Sequence, residues 1–95
     1  NHEPDVVMYT LLMGAYFASG RIELALSTFS MMKRKGFKLT LSTYTTLIEG
    51  LCNHGKIDEA WKMLEDIIAS GCEMKIQKLL RRIIQEALLQ PVNSL

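Results

Sequence analysis

Apolar residues recur at three- and four-residue spacings along most of the chain, the mark of helices that bury one face. Tyr9, Leu12, Met13, Tyr16 and Phe17 form the first stripe, and Gly20 stops it. Ile22, Ala25, Leu26, Phe29 and Met32 form a second, ended by Gly36. Tyr44, Leu47, Ile48, Leu51 and Cys52 precede Gly55, after which Ile57, Ala60, Trp61, Leu64, Ile67 and Ile68 run to Gly71. A glycine just past the last periodic residue suits the left-handed conformation that closes a helix. Asp5 is placed to cap the first helix, and Ser42 or Thr43 the third. A fifth helix is predicted over residues 75–89. Ile76, Leu79, Leu80, Ile83, Ile84 and Leu88 lie on one side of it, and Lys78, Arg81, Arg82, Gln85 and Glu86 on the other.

These stripes are copies of one another. Displacing the chain by 35 residues superposes Tyr9 on Tyr44, Thr10 on Thr45, Leu12 on Leu47, Gly20 on Gly55, Ile22 on Ile57, Ala25 on Ala60 and Gly36 on Gly71. Seven of the 35 pairs from 7/42 to 41/76 are therefore identical, where about two are expected from average composition. Met13/Ile48, Arg21/Lys56, Glu23/Asp58 and Phe29/Leu64 keep their chemistry. A period of this length signals stacked units that bury their faces against neighbours. Residues 6–40 and 41–75 read as two helix-turn-helix repeats, and residues 76–95 as a capping helix and a tail that begins at Pro91. The expected fold is all-α: a right-handed α-solenoid of antiparallel helix pairs with a C-terminal capping helix. Ala25 and Ala60 are the small residues that let paired helices approach. Tyr9 and Tyr44 read as packing residues between helices, and Trp61 as core.

Composition narrows the function classes. The 95 residues are 48% apolar and 22% charged, with 11 Lys+Arg against 10 Asp+Glu for a net charge of +1. That suits one globular domain, excludes a two-lobed enzyme, and argues against a strongly basic arm though not against a local basic patch. Lys33, Arg34, Lys35 and Lys38 make one basic cluster, either a solvated helix end that complements the helix dipole or a phosphate contact. No apolar run approaches the length of about 20 residues that spans a membrane. The first residue, Asn1, leads to the expectation of a piece of something longer. Cys52 and Cys72 are too few for a disulfide framework and are expected to be reduced core thiols.

Candidate chemistry is sparse. No Gly-rich phosphate loop is present, and His2 and His54 are the only histidines. Cys52 and His54 offer two possible ligands without the third and fourth that a structural zinc needs. The acidic pairs Asp58/Glu59 and Glu65/Asp66 fall near helix starts and on exposed faces. Neither a catalytic set, a cofactor nor a metal is expected, and the chain reads as a binding module rather than an enzyme.

The segments Val7-Met8-Tyr9-Thr10-Leu11-Leu12, Ser42-Thr43-Tyr44-Thr45-Thr46-Leu47-Ile48-Glu49-Gly50-Leu51-Cys52 and Gly55-Lys56-Ile57-Asp58-Glu59-Ala60 resemble pentatricopeptide repeats of the plain 35-residue type. Pro4-Asp5 resembles the close of a preceding repeat. The resemblance implies binding of single-stranded RNA, with about one base per repeat, along the first helices. It implies that Thr10 and Thr45 read base edges together with Thr40 and Lys75, and that Val7 and Ser42 flank the base. Thr40 and Lys75 depart from the Asp or Asn usual at their place. Read without the resemblance, Thr10 and Thr45 are surface threonines on the first helices, satisfied by water. The resemblance further implies a mitochondrial or plastid home and RNA or ribonucleoprotein partners. The role is either that of an RNA-processing or translation factor, or that of a structural component of an organellar ribosome holding ribosomal RNA or protein without reading sequence. A peptide-binding repeat of the tetratricopeptide kind shares the helix-pair design but not the period.

Overall fold

The computed structural model describes residues 4–71 and 73–89, so Cys72 and the tail from Pro91 lie outside the described residues. Five helices follow one another: α1 (Pro4–Ala18), α2 (Ile22–Arg34), α3 (Leu41–Asn53), α4 (Ile57–Ala69) and α5 (Met74–Leu89). Among the described residues there is no strand. α1 packs on α2 and α3, α3 packs on α4 and α5, and α4 packs on α5. Helix pairs are thus laid side by side in a solenoid whose described residues measure 46 × 30 × 19 Å.

The turn that closes each first helix is the same in both halves. Gly20 N–H donates to the Phe17 carbonyl and Arg21 N–H to the Tyr16 carbonyl; 35 residues on, Gly55 donates to Cys52 and Lys56 to Leu51. These are paired Schellman bonds, which require a left-handed residue, and Gly20 and Gly55 sit at φ 79° and 74°. The N-termini differ from expectation. α1 starts at Pro4, which puts Asp5 inside its first turn rather than at the cap. Proline is well suited to a first helical position, because its missing N–H would have had no helical partner. The cap of α3 is Thr40, with φ −104° and ψ 169°, whose side chain accepts the Thr43 N–H.

Met13, Phe17, Phe29, Leu47, Ile48, Leu51, Leu64, Ile67, Leu80 and Ile84 form one continuous core. Ala25 and Ala60 lie within it with no exposed surface, as close helix approach demands. Tyr9 and Tyr44 are half-buried packing residues: Tyr9 stacks on Phe37 at 5.9 Å and Tyr44 meets Phe29 edge-on at 6.4 Å. Trp61 is only half-buried and packs against the edge of the core rather than inside it. Leu12 is exposed although Leu47, its counterpart, is buried. α1 packs against α3, the helix of Leu47, and no described helix stands in the equivalent place against Leu12.

Candidate nucleic-acid interface

Four of the six residues singled out for base contact line one cavity. Val7, Thr10, Thr40 and Ser42, together with Val6 and Leu11, enclose about 90 Å³ between α1 and the start of α3. That is room for about three waters, or for the edge rather than the body of a nucleobase. Val7 is 60% exposed and offers an apolar wall, while Thr10 is only 8% exposed. No charged side chain is among these lining residues. What the cavity offers is therefore neutral hydroxyls and apolar contact, which suit a base edge and lack the cation that would favour a phosphate.

Its hydroxyls are organised by a residue that the sequence suggested only as a possible cap. Thr43 is fully buried. Its Oγ1 lies 2.7 Å from Thr10 Oγ1 and 3.1 Å from Thr40 Oγ1. Its backbone N–H donates to Thr40 Oγ1 at 3.3 Å. Thr10 is thus a buried residue paired with a protein hydroxyl rather than a surface threonine. The spacing Thr40-x-x-Thr43 is that of a cap and the third helical residue, and it was the available signal. Nothing in the spacing showed that Thr10, on another helix, would join them.

The second set is not a copy of the first. Thr45 is half-buried on α3, and Lys75 is exposed in the first turn of α5. α5 begins at Met74, so the counterpart of the capping Thr40 is already helical. Neither residue lines the cavity around Thr10. Ser42, at the start of α3, lines the cavity with Val7.

The remaining chemistry-bearing residues take structural places. Cys52 is half-buried, not a core thiol, because it opens toward a crevice lined by Glu49, Asn53, Ile83 and Glu86. Burial, and after it the Glu49 carboxylate, push its thiol up from the ordinary value. His54 Nδ1 is 3.0 Å from the Gly50 carbonyl, and the imidazole tilts against Phe17. Among the described residues no group of three or more His, Cys, Asp or Glu could hold a metal ion. Lys33 and Arg34 occupy the last turn of α2, where cations suit the dipole, and Lys33 lies 5.7 Å from the centre of the Phe29 ring. Arg82 pairs with Glu86 at 3.4 Å on the exposed side of α5.

Comparison with known proteins agrees with this architecture. The model of the PPR repeat family matches residues 4–53 and 40–75. A mitochondrial pentatricopeptide repeat-containing protein of Arabidopsis thaliana is 31% identical over 78% of this chain and 18% of its own length. A small ribosomal subunit protein of the same plant is 30% identical over 75% of this chain and 17% of its own length. A chloroplastic pentatricopeptide repeat-containing protein, also from Arabidopsis thaliana, is 31% identical over 70% of this chain and 9% of its own. The chain thus spans less than a fifth of the length of these relatives. With the period, the paired turns and the family model in agreement, the chain belongs to the pentatricopeptide repeat family.

Proposed function

We propose that the chain binds single-stranded RNA and that the cavity between α1 and α3 takes the edge of one base. The observation that supports this is the convergence of Val7, Thr10, Thr40 and Ser42 on one small neutral cavity. Val7 lies against the base face, Thr10 and Thr40 meet its edge, and Ser42 closes the far side. Thr45 and Lys75, with Ser42, form the next station along the strand. In this reading residues 6–40 and 41–75 are the two repeats and residues 76–95 the cap and tail. The module works within a larger mitochondrial or plastid protein, as the names of its relatives suggest, and it binds rather than catalyses.

Photocrosslinking of the full-length parent protein to a random single-strand pool carrying thiouridine tests the assignment. Crosslinks are expected in segments 6–12 and 39–45, with a selected motif that shifts when residues 1–95 are deleted. Crosslinks confined to other segments would refute it. A second reading is a structural role in an organellar ribosome, favoured by the ribosomal relative and by the neutral Thr10–Thr40 pair. It predicts an unselective pool and cosedimentation with ribosomal particles.

A further inference from the structure

Thr10 and Thr40, two residues proposed above to meet the base, are joined through a third hydroxyl that the cavity does not expose. Thr43 Oγ1 stands 2.7 Å from one and 3.1 Å from the other, and its side chain is fully buried. We propose that Thr43 is a positioning residue of the base site. Its hydroxyl ties Thr10 and Thr40 into one chain whose direction can reverse, so the site accepts base edges that donate as readily as edges that accept. The inference rests on the RNA reading and refines it.

A hydroxyl carries one proton and two lone pairs. In one direction Thr40 donates to Thr43 and Thr43 donates to Thr10. The Thr10 proton is then free for a base acceptor, such as the ring nitrogen of adenine or cytosine. In the other direction Thr10 accepts from a base donor, such as the ring N–H of uracil or guanine. Thr10 then donates to Thr43 and Thr43 to Thr40, whose own proton turns to solvent. Thr40 serves both states because it is exposed, while its oxygen is held in place by the Thr43 N–H. Each buried hydroxyl is satisfied in either state, so neither class of base leaves a buried polar group unpaired, the penalty on which edge discrimination rests. Only a rotation of three O–H bonds separates the two states.

Titration of the full-length parent protein, isotope-labelled over residues 1–95, with the tetranucleotides of adenine, cytosine and uracil, read by the amide chemical shifts of Val7, Thr10 and Ser42, tests the reading and the refinement together. Wild type is expected to bind all three with dissociation constants within about threefold of one another. Thr43→Val is expected to weaken all three by about threefold or more, and Thr43→Ser to restore them. Thr28→Val is the control, because it removes another buried hydroxyl, bonded to the Leu24 carbonyl within α2 and away from the cavity, and binding is expected to be unchanged. Should Thr43→Val fail to fold, Thr40→Val breaks the chain from its exposed end. Thr43 can then donate only to Thr10, and a preference for adenine and cytosine over uracil is expected. Equal binding by a folded Thr43→Val chain, or an unaltered base ratio in Thr40→Val, overturns the role of Thr43. A preference of about tenfold or more between adenine and uracil in wild type overturns the reversal. No shift at Val7, Thr10 or Ser42 in wild type overturns the RNA reading itself.

Discussion

Gly50 is where the packing of α1 on α3 is least tolerant of added atoms. It is buried in the last turn of α3, and the Phe17 ring lies so close to its backbone that a β-carbon would overlap Cγ, Cδ1 and Cδ2 of the ring. Gly50→Ala sets two effects against each other. Alanine is favoured over glycine in a helix interior by about 0.8–1.0 kcal/mol. Restoring ordinary carbon–carbon contact of about 3.5–4.0 Å requires the ring to move by roughly an ångström. Phe17 is only 4% exposed and is surrounded by core, so the displacement propagates into its neighbours. Overpacking of this kind costs about 1–3 kcal/mol, and simultaneous overlap with three ring carbons argues for the upper end. The clash wins by about 2 kcal/mol, which at about 4–8 °C per kcal/mol lowers the melting temperature by roughly 8–16 °C. Thermal melts followed by far-ultraviolet circular dichroism check the value. The Phe17→Leu background checks the cause: with the ring gone, Gly50→Ala is expected to be neutral or stabilising. A wild-type-like melt for Gly50→Ala, or the same loss in both backgrounds, would refute the reasoning.

Other outcomes follow from single contacts. Ala60→Leu inserts methylenes between helices in a fully buried place and is expected to cost about 1–3 kcal/mol, read as a melting temperature lowered by several degrees. Thr40→Ala removes the side-chain cap of α3 and is expected to cost about 1 kcal/mol, measured as a lower urea midpoint at unchanged slope. The raised Cys52 thiol has a definite sign in its pH dependence. A folded-state pKa above the unfolded one gives stability that is whole below the unfolded value and is lost as pH rises through the folded value. The chain is therefore expected to lose stability as pH climbs past the ordinary thiol value of 9.0, and Cys52→Ala to lose less, compared by melts on either side of that value.

The helices and their turns were legible because each rests on local chemistry. Gly20 and Gly55 must be left-handed to complete their paired bonds, and the stripes between them bury as their spacing requires. What the sequence did not show depends on neighbours distant along the chain. Leu12 and Leu47 occupy equivalent places, yet only Leu47 is buried, because α1 packs on its helix. Cys52 looks apolar by its stripe, but the crevice between α3 and α5 leaves it half open. Of the candidate contacts, Val7, Thr10, Thr40 and Ser42 come together because α1 and α3 are adjacent; Lys75 does not reproduce Thr40 because α5 starts early.

The same adjacency couples the proposed site to the fold. Thr40 is at once the cap of α3 and a wall of the cavity, and Thr43 is at once the residue whose N–H is capped and the partner of Thr10. The bond between Thr10 and Thr43 crosses from α1 to α3, a separation of 33 residues, so it forms only when the two helices are docked. The cavity is therefore assembled by the same contact that stacks one helix pair on the next. A substitution here acts on both properties, and affinity alone cannot separate them. Thr28, also buried but bonded within α2, supplies the comparison. Loss of binding in Thr43→Val beyond that in Thr28→Val, at matched stability, isolates the part of Thr43 that belongs to the site.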